Sequence, residues 1–449
     1  MVDGEHYPPV IQDALTDLAA QGHEIVGAVL AGGTEKLASG GLTELNGVEV
    51  RHGSSPERTL ASAVRELAPD AVMDLSDEPV LDYRRRHLFA SIALRAGVSY
   101  DGPGFSFSPP ERPPVARRPS VAVVSTGKRT GKTAVAGSMA RCFVESGRSP
   151  VIVAMGRGGP AEPEVLRGDE IELGPEQLLD LVASGKHAAS DYVEDALLAR
   201  VPTVGCRRCG GGLAGSVGVS NVVEGVQLAN ELDADILVLE GSGSALPPVH
   251  ADACVLVVPA SVPDEYVSGY FGPYRLLLAD LVVVTMAEEP FGSASRVASL
   301  IARIRDVLAT VHDEGAPEVQ VVRTVFRPAP TRSLADASVC VATTAPSSVG
   351  ESISRHLEKE EGCRVVGITH ALSNRAQLER ELDDIMPRAD VLVCEIKAAG
   401  IDVATKKAMD AGLEVVYMNN VPTGVEGDDP AAAFNKVARI ATDRFAERT

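Results

Sequence analysis

VAVVSTGKRTGKT, residues 121 to 133, sets the reading of the whole chain. Val121, Ala122, Val123 and Val124 make a short apolar strand, Gly127 and Gly131 build a turn, and Lys132-Thr133 opens an amphipathic segment. A buried strand that runs into a glycine turn and then a helix is the arrangement that cradles phosphate. The turn's backbone N–H groups face the anion, and the helix N-terminus adds partial positive charge. The fit to G-x-x-x-x-G-K-[ST] is incomplete, because Thr126 occupies the first glycine position and the glycine follows at Gly127, yet Gly131-Lys132-Thr133 is intact. The required helix is present: Val135, Met139 and Phe143 recur every four residues beside Ala136, Ala140 and Val144, and Gly147 supplies a stop. Gly127, Lys128, Arg129, Thr130, Gly131, Lys132, Thr133 and Ala134 are therefore expected to bind nucleotide. Lys132 is expected to reach the β- and γ-phosphates from a solvent-facing loop.

The chain has 449 residues, enough for roughly three domains. Hydrophobic residues at 45% and charged residues at 23% describe an ordinary globular protein, and apolar runs are strand-sized, so no membrane span is expected. The N-terminus MVDGEHYPPV lacks an apolar export signal, and seven cysteines, an odd number, fit reduced thiols; a cytoplasmic location follows as an expectation. A net charge of −20 argues against nucleic acid and anionic membrane as partners, so a polyanionic ligand needs a local basic pocket. A homodimer is the expected assembly.

Residues 1–115 read as a separate α/β unit, with helices at Ile11–Ala20, Pro56–Leu67 and Tyr83–Ala96 and strands at Ile25–Ala31 and Ala71–Leu75. Asp101 to Pro119, crowded with Pro and Gly, reads as a linker. Within the unit, Arg84, Arg85 and Arg86 suit either a phosphate or a solvated helix face. From Ser120 strands and helices alternate, which predicts a mostly parallel sheet of the P-loop NTPase type with helices on both faces. Residues 116–330 form the nucleotide core and 331–449 a C-terminal α/β part, with the seam at Phe326–Leu334 and continuity with the core left open.

Ligands of open α/β sheets bind beyond the carboxyl ends of the strands, so the residues after each strand carry the functional reading. Gly156-Arg157-Gly158-Gly159 strips side chains from a turn while Arg157 keeps its fork of donors for phosphate; a plain tight turn is the bland alternative. Asp235 to Gly243, DILVLEGSG, ends a strand in Glu240, the Walker-B position. Glu240 is thus the expected Mg²⁺ residue, with Thr133 as hydroxyl ligand, or else a water-activating base. Lys186 and His187 lie between two helices where an anion could sit, or in an exposed turn. Cys206-Arg207-Arg208-Cys209 lacks the second ligand pair that zinc requires, so its reading is a strand end presenting Arg207 and Arg208 to phosphate. No N-K-x-D signature follows a strand, which favours ATP over GTP, and Thr285-Met286-Ala287-Glu288 marks a position for the base.

With these residues in place the chain resembles the cyclic 2,3-diphosphoglycerate synthetase family. The resemblance rests on STGKRTGKTAV at Ser125–Val135, VAMGRGGPAEPE at Val153–Glu164, GKHAASDYVEDAL at Gly185–Leu197, the glycine-rich Cys206–Gly215 and LEGSG at Leu239–Gly243, and it extends in layout over nearly the whole chain. It implies ATP- and Mg²⁺-dependent closure of 2,3-bisphosphoglycerate into a cyclic phosphoanhydride, releasing ADP and phosphate. Lys132, Arg157 and Glu240 would then be catalytic, and Arg157, Lys186, His187, Arg207 and Arg208 would hold the substrate. The EGSG element is also similar to dethiobiotin synthetase, so a carboxylate-activating ligase is one rival and a non-catalytic nucleotide switch another.

Overall fold

A computed structural model of the chain describes residues 1–33, 35–37, 42–311 and 318–449. The N-terminal unit holds two three-stranded sheets: β1 (Ala28–Val29), β2 (Glu44–Leu45) and β3 (Val48–Arg51) in the order β1-β3-β2, and β4 (Ala71–Met73), β5 (Ser99–Gly102) and β6 (Phe105–Phe107) in sequence order. The helix Pro56–Leu67 has the expected bounds. Proline occupies its first turn, the Ser55 side chain accepts from Arg58 N–H, and Ala68 in the left-handed region ends it.

The linker expected from Asp101 onward is corrected at its start. Asp101 and Gly102 complete β5, and Phe105–Phe107 return antiparallel as β6. Gly102 allows the hairpin, since a Cβ there would stand 2.3 Å from Phe105 Cζ, and Tyr100 stacks on Phe105 at 6.1 Å. Only residues 108–119 follow an irregular path. The arginine run is taken up internally: Arg84 pairs with Glu265, Arg85 with Glu57 and two carbonyls, and Arg86 with buried Asp74.

A single 13-stranded sheet carries the rest. Its strands are β7 (Ser120–Ser125), β8 (Pro150–Gly156), β9 (Glu164–Arg167), β10 (Pro202–Cys209), β11 (Val219–Ser220), β12 (Ile236–Glu240), β13 (Ala253–Pro259), β14 (Leu281–Thr285), β15 (Gln320–Pro330), β16 (Ser338–Ala342), β17 (Arg364–Thr369), β18 (Val391–Cys394) and β19 (Glu414–Gly424). The order is β11-β10-β8-β12-β7-β13-β14-β15-β19-β18-β16-β17, with β9 against β10. Every residue of β7, β8, β12, β13 and β14 is buried, the continuous apolar run of a parallel sheet covered on both faces.

Two parallel halves meet at one antiparallel junction. Gln320–Arg323 pairs parallel with β14, whereas Thr324–Pro330 pairs antiparallel with Met418–Gly424 of β19, whose first residues run parallel to β18. The stretch that reads as a seam in sequence is thus one continuous strand through Pro330. Because direction reverses there, the carboxyl ends of the C-terminal strands face those of the nucleotide core across the β15/β19 ribbon, and one cavity opens between them.

Candidate active site

The cavity encloses about 770 Å³. Gly127 to Ala134 lines one wall, with Arg157, His187, Asp191 and Ser242-Gly243 beside it. The opposite wall comes from the C-terminal half, through Thr344, His356, His370, Glu395, Lys397 and Asn420, and Phe326, Arg327 and Pro328 of β15 lie between the two. Met286, Glu288 and Phe291, after β14, close a further side.

The loop after β7 is held by named contacts. Ser125 Oγ has the carbonyls of Gly127 and Gly243 at 2.9 and 2.8 Å as acceptors for its one hydrogen, and Thr285 Oγ1 donates to the Thr130 carbonyl at 2.8 Å. Gly131 has φ +84°, and a Cβ there would lie 2.0 Å from Phe326 Cζ, so only glycine both turns the chain and admits the ring. Lys128 and Arg129 are exposed at the loop's tip.

Although the loop's tip faces solvent, the Lys132 side chain turns inward. Its side chain is 8% exposed, and Nζ lies 2.6 Å from Glu240 Oε1, an oxygen that also accepts from Thr133 Oγ1 at 2.7 Å. Burial alone would pull the ammonium down, but the charges of Glu240 and Asp191 outweigh it and hold the group above the ordinary lysine value. Behind the pair, on the helix Asp191–Ala199, burial and the Glu240 charge push the Asp191 and Asp195 carboxyls up, while Lys132, Lys397 and Arg157 draw Asp191 back.

Glu240 is fully buried, and its Oε2 has no hydrogen-bond partner among the described residues. An orphaned carboxylate oxygen beside a threonine hydroxyl is a hard-oxygen donor set that fits Mg²⁺, which is bound through one or two carboxylates together with substrate phosphates. The described residues contain no cluster of three or more His, Cys, Asp or Glu that could hold a metal by itself.

The other expected residues fall in different places. Arg157 lines the cavity with no hydrogen bond or ion pair among the described residues, and His187 lines it beside Gly158, where a Cβ would stand 2.6 Å from the imidazole Cδ2. Lys186 points elsewhere, 2.7 Å from Glu164 Oε2, a carboxylate that also takes the Tyr192 hydroxyl. Arg207 is exposed outside the lining, with its backbone N–H on Asn221 Oδ1. Arg208 sits behind the wall and donates to the carbonyls of Ser242 and Gly210, so it braces the loop after Glu240. Burial and the neighbouring Arg157 charge lower its pKa. Cys206 is buried and Cys209 exposed, and burial pushes the Cys206 thiol up to about 12.

Sequence reasoning missed several groups. Arg275, a buried arginine, donates twice to the Ser244 carbonyl and once to that of Leu213, and fixes the glycine-serine loop from below. Glu395 accepts from Thr343 Oγ1, Thr344 N–H, Thr344 Oγ1 and Asn420 Nδ2, all within 2.9 Å. Burial would raise this carboxyl, but Lys397 and those donors hold it below the usual range. The acidic residue at the end of β18 repeats the β12-Glu240 pattern and was readable on that ground; its partners were not.

Fold and loop together define a P-loop nucleotide-binding protein whose site is shared between two halves of one sheet. Models of the P-loop, C-terminal and N-terminal domains of cyclic 2,3-diphosphoglycerate synthetase match residues 120–325, 330–421 and 1–108. The chain is 45% identical over 454 residues to the cyclic 2,3-diphosphoglycerate synthetase of Methanothermobacter thermautotrophicus, covering 99% of this chain and 96% of that protein. It is 46% identical over 442 residues to that of Rubrobacter xylanophilus, covering 98% and 97%. The chain belongs to the cyclic 2,3-diphosphoglycerate synthetase family. Among solved structures it is similar to LpxK from Aquifex aeolicus, 13% identical with a TM-score of 0.39, over 73% of this chain and 89% of that one.

Proposed function

We propose that the chain closes 2,3-bisphosphoglycerate into its cyclic phosphoanhydride at the expense of ATP. The observation that carries this reading is the shared cavity: a phosphate loop on one wall, with the Lys397 ammonium on the wall that faces it, gives room and charge for two polyanions at once. An oxygen of one substrate phosphate attacks the γ-phosphorus, the bond from that phosphorus to the β-γ bridging oxygen breaks, and ADP leaves. An oxygen of the other substrate phosphate then attacks the first substrate phosphorus and expels the added phosphoryl group as phosphate, which carries away one former substrate oxygen.

Lys132 and the loop N–H groups hold the β- and γ-phosphates, and Arg157 takes the charge that develops between the reacting groups. Lys128 and Arg129 guard the loop's open side, and His187 lies along the substrate's path. Thr133 and Glu240 would hold Mg²⁺, which neutralises phosphate charge when bound. The setting proposed is the cytoplasm, as a homodimer, with neither nucleic acid nor membrane as partner; light scattering of the purified chain reads the assembly. Running the reaction in ¹⁸O-water tests the route: released phosphate should contain no solvent oxygen, and solvent ¹⁸O in that phosphate would mean hydrolysis without transfer.

A further inference from the structure

Lys397 leaves the end of β18 and lines the cavity wall that faces the phosphate loop. Its ammonium is 3.1 Å from Glu194 Oε1, and the charges of Glu194, Glu395 and Asp191 all act on it. Three cations from three different elements, Lys132, Arg157 and Lys397, act on Asp191 in turn. The C-terminal half thus delivers a positive charge to the same small volume that the phosphate loop serves.

The backbone around Lys397 is unusual. Ala398 is held at φ +50°, in the left-handed region, and a π-helix follows at Gly400–Thr405. Such conformations persist only where their surroundings impose them, and they gather at ligand sites. Here the surroundings do impose them. Glu395 is locked by its four donors, a Cβ on Gly400 would meet the Glu395 carbonyl at 2.3 Å, and Thr405 Oγ1 donates to the Gly400 carbonyl at 2.8 Å. A lysine serving only to neutralise Glu194 would need no exposure, yet a third of the Lys397 side chain, 33%, remains open to the cavity. An ammonium has three donors, so it can keep one on Glu194 and offer the others to an anion.

We propose that Lys397 is a binding residue for the second polyanion, gripping the substrate phosphate that lies away from the nucleotide, and that Glu194 is the positioning residue that aims it. The proposal rests on the bisphosphoglycerate reading above. It moves the substrate's main cation from Lys186 and Arg207, which lie outside the cavity, to the C-terminal half.

The test uses full-length wild type and Lys397→Met. Binding of 2,3-bisphosphoglycerate is measured by calorimetry with a non-hydrolysable ATP analogue present, alongside KM for both substrates. Losing a charge-assisted contact should raise Kd and KM for bisphosphoglycerate about tenfold or more and leave KM for ATP within about twofold. The wild-type isotherm separates the two ideas. Wild type that binds no bisphosphoglycerate overturns the substrate reading, whereas wild-type binding that Lys397→Met leaves intact, or equal loss for both substrates, overturns the role of Lys397 alone. Should Lys397→Met fail to fold, Glu194→Gln/Lys397→Met removes both buried charges together and carries the same expectation.

Discussion

Replacing Lys132 by methionine should do two things, and the larger surprise lies in stability. The Lys132–Glu240 pair is 2.6 Å long with side chains 8% and 0% exposed, and Asp191 and Asp195 stand behind it. Methionine keeps the length and removes the charge that pairs with buried Glu240 and also acts on Asp191 and Asp195. Breaking such a pair costs about 3–5 kcal/mol, because the remaining charge stays buried and uncompensated. Glu240→Gln alone should cost less, since Lys132 keeps Asp191 and Asp195 as partners. The double variant should fall short of the summed single costs by about 1–3 kcal/mol, the coupling expected of groups in direct contact. Urea unfolding of the four proteins, followed by circular dichroism, measures the cycle, and ATP turnover measured in parallel should vanish in both variants that lack Lys132. A loss under about 1 kcal/mol for Lys132→Met, with additive behaviour in the double variant, would refute the buried pair as the ground state of the site.

Three further outcomes follow from the same geometry. Glu240→Gln should weaken the Mg²⁺ dependence of turnover and lower kcat by about 10²-fold or more while altering ATP binding little, and an unchanged Mg²⁺ titration would remove Glu240 from the metal. Cys209 should react with iodoacetamide at neutral pH and Cys206 should not, since Cys206 is buried and its thiol is pushed up to about 12; zinc that survives dialysis would contradict the metal-free reading of the pair. Burial raises the Glu194 carboxyl to about 7, only partly offset by Lys397, so folding binds a proton there between the ordinary value of 4.5 and about 7. Its contribution to stability is complete below 4.5 and is lost as pH rises through about 7; Glu194→Gln should flatten that fall, and an unchanged pH profile of urea midpoints would remove Glu194 as its source.

Much of the fold was legible because it depends on local pattern. Pro56–Leu67 shows its cap, its proline and its stripe in consecutive residues, and the buried strands from β7 to β14 show as β-branched runs. The β5–β6 hairpin was hidden because Gly102-Pro103-Gly104 has the composition of a linker. What makes it a turn is the Phe105 ring against Gly102, a contact that composition does not encode. Phe326–Pro330 reads as a break because of its prolines, yet Pro328 and Pro330 fit the β15/β19 ribbon opposite Asn420 and Met418.

The phosphate loop and Glu240 could be found because each is a contiguous motif at a strand end. Lys397 and Glu194 could not, since their relation exists only once the antiparallel junction turns the C-terminal strand ends toward the core. The inward turn of the Lys132 side chain was not legible for a related reason: the carboxylates that draw it inward come from β12 and from the helix Asp191–Ala199.

In the proposed reaction two polyanions meet in one cavity and leave it as a ring, ADP and phosphate. Phosphorus NMR of the purified chain with ATP, Mg²⁺ and 2,3-bisphosphoglycerate observes every species at once. One ADP and one phosphate are expected for each cyclic phosphoanhydride formed, with no external phosphoryl acceptor. ADP and phosphate accumulating without a cyclic phosphorus signal would contradict the proposed reaction.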